Sequence, residues 1–133
     1  GLGDVVEVRH WSYPDYTRVV VELTQPVRTV VRELPADRAS GRPARLYFDL
    51  AGVWVGRRFA EGLPVGDGLL EGVRVGQNTE TTARLVLDLE RYDRHRLIEA
   101  AIRWHHISNA GTHMPNNSIN DVHFALAVTC FLD

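Results

Sequence analysis

One heptapeptide is written three times in this chain, and its spelling limits the fold more than any other feature. ARLYFDL at Ala44–Leu50 returns as ARLVLDL at Ala83–Leu89, and TRVVVEL at Thr17–Leu23 is a third copy. Apolar residues recur at every second position, the period of a strand whose successive side chains point to opposite faces. Leu85, Leu87 and Leu89 therefore share one face and Arg84, Val86 and Asp88 the other. Leu46, Phe48 and Leu50 stand likewise against Arg45, Tyr47 and Asp49, and Thr17–Leu23 sends Arg18 and Glu22 outward. Each inward side chain stabilises the fold by about 1.5–3 kcal/mol if fully buried. The Arg and the acid of one copy lie about 13 Å apart along the strand, so any ion pair between them must run across strands.

The surrounding segments have the same grammar. Short Val, Leu and Phe runs predict strands at Val5–His10, Thr17–Leu23, Val27–Leu34, Ala44–Leu50, Leu69–Val75 and Ala83–Leu89. Between them SYPDY, LTQPV, PADRASGRP, LPVGDG and GQNTETT carry the Pro, Gly, Asn and Asp of turns. Loops this short join antiparallel neighbours, because a parallel return needs a crossover of about a dozen residues. The repeat also extends beyond the heptapeptide, since VEVRHWSYPDYTRVVVEL at Val6–Leu23 parallels EGVRVGQNTETTARLVLDL at Glu71–Leu89. These features predict an all-β sandwich of two pseudo-symmetric antiparallel sheets, each built by one half of the chain.

At 133 residues the chain is about one domain, and its net charge of −2 with no single-sign run gives it no polyanion-binding arm. No stretch reaches the roughly 20 apolar residues of a membrane-spanning helix. It opens GLGDVVEV without an initiator Met or a signal pattern, so its ends do not report its compartment. A compositional seam falls near residue 100. All 15 basic residues are Arg and end at Arg103, whereas the single Cys, the single Met and four of the six His follow it. Residues 1–100 thus read as the sandwich domain and 101–133 as an atypical segment, either divergent or foreign. Residues 94–108 favour a helix, with Asp93 as cap, Leu97, Ile98, Ala101, Ile102 and His105 on one face, and Gly111 as a stop. HFALAVTCF at His123–Phe131 alternates and is the remaining strand candidate.

The ordered series DYTRVVVEL, RPARLYFDLAGV, PVGDGLLEGVRVGQN and TARLVLDL resembles the AMIN domain over Val5–Ile98. That family stands at the N-terminal side of periplasmic N-acetylmuramoyl-L-alanine amidases and in type IV pilus secretins. The resemblance implies a sandwich of two symmetric sheets without catalytic activity. Such a module binds peptidoglycan and holds an attached amidase at the cell wall, commonly at the site of cell division. The alternative it carries is an interaction or assembly domain of a secretin or pilus system, with divisome or pilus proteins as partners. Its pattern would end in a fourth strand of the form Arg-apolar-apolar-apolar-Asp, where this chain reads EAAIRWHHISNAG. Unless HFALAVTCF covers the edge left behind, a second copy is expected to pair there as a homodimer.

Peptidoglycan offers sugar rings and stem-peptide carboxylates, which call for aromatic faces and arginines. The candidate cations are Arg9, Arg18, Arg45, Arg74 and Arg84, each of which has a solvated cross-strand pair as its plain alternative. Trp11, Tyr13 and Tyr16 in HWSYPDY suit a sugar-stacking rim or, equally, a buried staple. Gln77 and Asn78 are placed to meet N-acetyl groups or to support their own turn. Material for an enzyme is confined to His105, His106, His113, His123 and Cys130, which form no His-Glu-x-x-His and no Cys-x-x-Cys, and no Gly-x-Ser-x-Gly occurs. No catalytic residue, metal or cofactor is expected, and Cys130 in its apolar run is expected to be an inert thiol.

Overall fold

The strands form where the sequence alternates. A computed structural model describes residues 1–90, 98–108 and 122–132, and for 98–108, 122, 123 and 132 it describes the backbone alone. In chain order the elements are β1 (Gly3–Ser12), β2 (Tyr16–Leu23), β3 (Thr29–Leu34), β4 (Arg45–Ala51), β5 (Val53–Trp54), β6 (Leu63–Pro64), β7 (Leu70–Thr79), β8 (Thr82–Leu89), β9 (Ile98–Ser108) and β10 (Val122–Leu132). All six strands expected within residues 1–90 are present, with short β5 and β6 added at the edges. One sheet has the order β5-β1-β2-β10-β9 and the other β3-β4-β8-β7-β6. Among the described residues every strand pairing is antiparallel except the two-residue one between β1 and β5. No helix among the described residues is long and apolar enough to cross a membrane.

The two sheets are related by pseudo-symmetry that extends to their irregularities. β1, β2, β10 and β9 correspond to β7, β8, β4 and β3. β1 slips register against β2 between Val5 and Glu7, and β7 slips against β8 at the equivalent place, between Leu70 and Gly72. The first bulge frees backbone carbonyls, and Arg58 reaches over to donate to the oxygens of Val5 (2.7 Å) and Val6 (3.4 Å). One expectation changes. Neither half of the chain builds a sheet alone, because β1–β2 and β3–β4 lie in opposite sheets. The link around Pro26 carries the chain across instead of reversing it: Asp4 holds its start through Thr24 (2.9 Å), and Ala51 N–H donates to Arg28 O (3.0 Å) at its end.

The helix expected over residues 94–108 is not formed; its described part, Ile98–Ser108, is strand β9. β9 pairs with β10 from Ile98↔Leu132 through to Ser108↔Val122. Helix propensity in Glu99–Ala101 amounts to a few tenths of a kcal/mol per residue. A helix would leave the whole outer edge of β10 without backbone partners, a larger penalty. The proposed cap Asp93 and stop Gly111 lie outside the described residues.

β10 takes the edge of β2, with Phe124↔Leu23 through Phe131↔Tyr16 in register. This is the position that β4 holds beside β8, where Arg45↔Asp88 leads to Ala51↔Thr82. Phe124–Cys130, FALAVTC, is thus the fourth copy of the heptapeptide. Its Leu126, Val128 and Cys130 enter one core with Val19, Val21 and Leu23, with Leu46, Phe48 and Leu50, and with Leu85, Leu87 and Leu89. Leu126 and Leu87 are both completely buried, so Leu126→Ala and Leu87→Ala are each expected to cost about 2–5 kcal/mol in urea unfolding. An unchanged midpoint for Leu126→Ala would mean that β10 does not belong to the core.

Candidate binding face on the β1–β2–β10 sheet

With apolar residues inward, the chemistry stands on the outer faces, and the two faces differ. On the β7–β8–β4 face the arginines are engaged. Arg84 donates to both oxygens of Asp49, at 2.7 and 3.2 Å, across the Asp49↔Arg84 register pair. Its guanidinium also lies 4.5 Å from the Tyr47 ring centroid. Arg74 grips Asp88 the same way, at 2.7 and 2.9 Å. Both guanidiniums are held above their ordinary value, chiefly by these hydrogen bonds. Arg45 lies opposite Asp88 and shares a concavity of about 190 Å³ with Arg42, Pro43, Glu71 and Asp88, so acids already line it.

The β1–β2–β10 face has the same frame with other residues in it. Arg9 corresponds to Arg74, but its nearest approach to Glu22 is 3.6 Å, a looser pair. Arg18 corresponds to Arg84, and the position that Asp49 fills beside Arg84 is held here by Thr129. Among the described residues the exposed Arg18 has no hydrogen-bond or ion-pair partner. Ala125 and Ala127 stand where β4 has Arg45 and Tyr47, and with Val20 they form a small buried cluster on this outer side. Trp11 rises where β7 has Gly76. The result is an open groove of about 290 Å³ lined by Arg9, Trp11, Tyr13, Arg18, Val20, Ala125 and Ala127. Trp11 and Tyr13 remain 42% and 47% exposed, so their rings bound the groove rather than plug it. Arg9 packs over Trp11 at 5.8 Å. Tyr16 stacks on Tyr13 at 4.5 Å and leans on Phe131 at 5.7 Å.

Of the residues singled out in the sequence, Arg9, Trp11, Tyr13, Tyr16 and Arg18 are gathered on this one face. Arg45, Arg74 and Arg84 are on the opposite side of the sandwich. Gln77 is spent on the fold. Its Oε1 accepts from the amides of Val55 (2.7 Å) and Gly56 (3.1 Å), and its Nε2 donates to the carbonyls of Val53 (3.0 Å) and Thr79 (2.8 Å). Ala125, Ala127 and Thr129 carry no chemical signature of a site, and only their alignment with Arg45, Tyr47 and Asp49 could have marked them. The side chains of His105, His106, His113 and His123 lie outside the described residues.

A polar clasp braces one end of the groove's strands. Asp67 accepts from Ser12 Oγ (2.7 Å), from the buried Thr17 hydroxyl, and from the amides of Leu69 (3.0 Å) and Leu70 (2.9 Å). Gly66 and Gly68 flank it with positive φ of 61° and 86°, which lets the loop wrap the carboxylate. Burial pushes the Asp67 carboxyl up, but the hydrogen bonds from Thr17, Ser12, Leu70 and Leu69 outweigh it and hold the carboxyl below its ordinary 3.8. The neighbouring Cys130 thiol is pushed up to about 12 by burial and by the charge of Asp67, which keeps it protonated and unreactive. A depressed carboxyl contributes stability above its unfolded value and loses it as the pH falls through the folded one. Asp67→Asn is therefore expected to lower the urea midpoint at neutral pH, and its deficit against wild type should shrink once the pH falls below 3.8. A deficit that stays constant down to pH about 2 would show that the charge of Asp67 contributes nothing.

No curated protein matches the chain. Among known families, the AMIN domain matches residues 7–103, which takes in both copies of the Val-Arg strand, all three Arg-containing heptapeptides and the start of β9. With the two-sheet sandwich and its repeated strands in place, the chain belongs to the AMIN domain family.

Proposed function

We propose that this chain is a non-catalytic peptidoglycan-binding module that holds an attached cell-wall amidase in the periplasm. AMIN domains are peptidoglycan-associated localisation modules, which supports the general role. The observation that carries the reading for this chain is the groove of the β1–β2–β10 face. There Arg9 and Arg18 stand beside the exposed rings of Trp11 and Tyr13 over an apolar floor. Sugar rings present C–H faces that pack on aromatic side chains, and stem peptides end in carboxylates that guanidinium groups bind in two-pronged fashion. Purified chain is expected to co-sediment with isolated sacculi at low salt and to be released as salt rises. The double variant Arg9→Gln, Arg18→Gln is expected to move most of it to the supernatant. Wild-type chain that stays in solution at low salt refutes the reading.

A second reading rests on β3. Among the described residues this strand closes the edge of its sheet and pairs with β4 alone, and it exposes Val30, Val31 and Leu34. An open apolar edge accepts an added strand, from a second copy or from a pilus or divisome protein. It predicts a concentration-dependent dimer in sedimentation velocity that Val31→Lys abolishes without changing sacculus binding. A chain that stays monomeric at high concentration argues against self-pairing at this edge.

A further inference from the structure

The two outer faces share one backbone frame, so their differences isolate what the groove is built to do. Going from the β8–β4 pair to the β2–β10 pair, Arg45 becomes Ala125, Tyr47 becomes Ala127 and Asp49 becomes Thr129. Two large side chains are removed from the middle of the face, and the acid that occupies Arg84 is removed from beside Arg18. On the flanking strand Gly76 becomes Trp11, which raises a wall along the space just cleared. The floor left behind, Val20, Ala125 and Ala127, is apolar and, at only 2–8% exposed, already packed, so it shapes the base of the groove. At one side of it stands a guanidinium whose described neighbours offer it no carboxylate.

We propose that this groove is a receptor for a carboxylate carried on a sugar-linked peptide. Arg18 grips the carboxylate and Trp11 packs on the sugar, above the apolar floor of Val20, Ala125 and Ala127. The proposal rests on the peptidoglycan reading and names the feature of the polymer that is recognised: a free stem-peptide carboxylate rather than the glycan alone. The opposite face is not equivalent, because Asp49 and Asp88 already occupy the carboxylate positions on Arg84 and Arg74. The groove volume of about 290 Å³ is near the lower end of ligand sites, about 300 Å³, which fits one sugar edge and one or two small residues rather than a long peptide.

Titration calorimetry of the whole chain tests this with two soluble disaccharide-peptides, identical except that one has free carboxylates and the other has them amidated. The free form is expected to bind at least about tenfold tighter, the size of a lost charge-assisted hydrogen-bond pair. Arg18→Gln is expected to erase that difference, and Arg18→Lys to restore part of it, since Lys keeps the charge but not the fork. Trp11→Ala should weaken both ligands alike, and Arg84→Gln should leave both affinities within about twofold of wild type. If wild type binds both ligands equally, or Arg18→Gln preserves the discrimination, the groove inference falls. Sacculus binding without disaccharide-peptide binding also overturns it, leaving the peptidoglycan reading in place. Loss of sacculus binding in the wild type removes both.

Discussion

The register of two strand pairs, β2 with β10 and β8 with β4, is the constraint on which the rest of this molecule depends. Strand side chains alternate with a period of two, so a slip of one residue would turn every inward side chain of a strand to solvent. In each pair the inward sets meet in one core: Val19, Val21 and Leu23 with Leu126, Val128 and Cys130, and Leu85, Leu87 and Leu89 with Leu46, Phe48 and Leu50. The same register decides what faces outward. It sets Asp49 against Arg84 and Thr129 against Arg18. Core and surface chemistry are two readings of a single alignment.

That alignment explains why the two faces behave differently although their backbones match. An Arg that meets an Asp across a strand pair has both prongs filled and contributes under about 1 kcal/mol to stability. An Arg that meets Thr keeps its donors directed outward. Replacing the outer residues of one strand, with its inner residues unchanged in character, exchanges a self-neutralised surface for one whose Arg18 has no carboxylate partner among the described residues. The fold tolerates this because the outer positions of β10 do not take part in the central core.

How much was legible in the sequence follows from the same division. Strands β1, β2, β4, β7 and β8 were readable because their apolar residues recur close to every second position, and β3 from its Val and Leu content between turn signals; the cross-strand character of the Arg–acid pairs followed from the distance between them along a strand. Three things were hidden. β9 has helix formers at Glu99–Ala101, and only the backbone demand of β10 makes it a strand. The exchange of hairpins between sheets depends on whether the link around Pro26 reverses or crosses, which composition does not encode. The groove was hidden because its floor is made of Val20 and two Ala, and its four sequence-visible residues, Arg9, Trp11, Tyr13 and Arg18, had no mark separating them from Arg45, Arg74 and Arg84. Gln77 had a suitable donor and acceptor for a ligand, but both ends are consumed in pinning β5, the residue after it and the end of β7.

The pairing of β2 with β10 also sets an order of events. β2 ends at Leu23, and the strand that completes its sheet begins at Val122. As the chain is made, the opposite sheet can close on itself from β3 through β8, while the β1–β2 hairpin keeps one edge and part of its apolar face open. Contacts this distant in sequence form slowly, because the intervening loop must be closed before they stabilise anything. The last strand to emerge is therefore the bolt of the sandwich. It is also the strand that carries the altered outer residues, so the groove comes into existence only when β10 has joined its sheet.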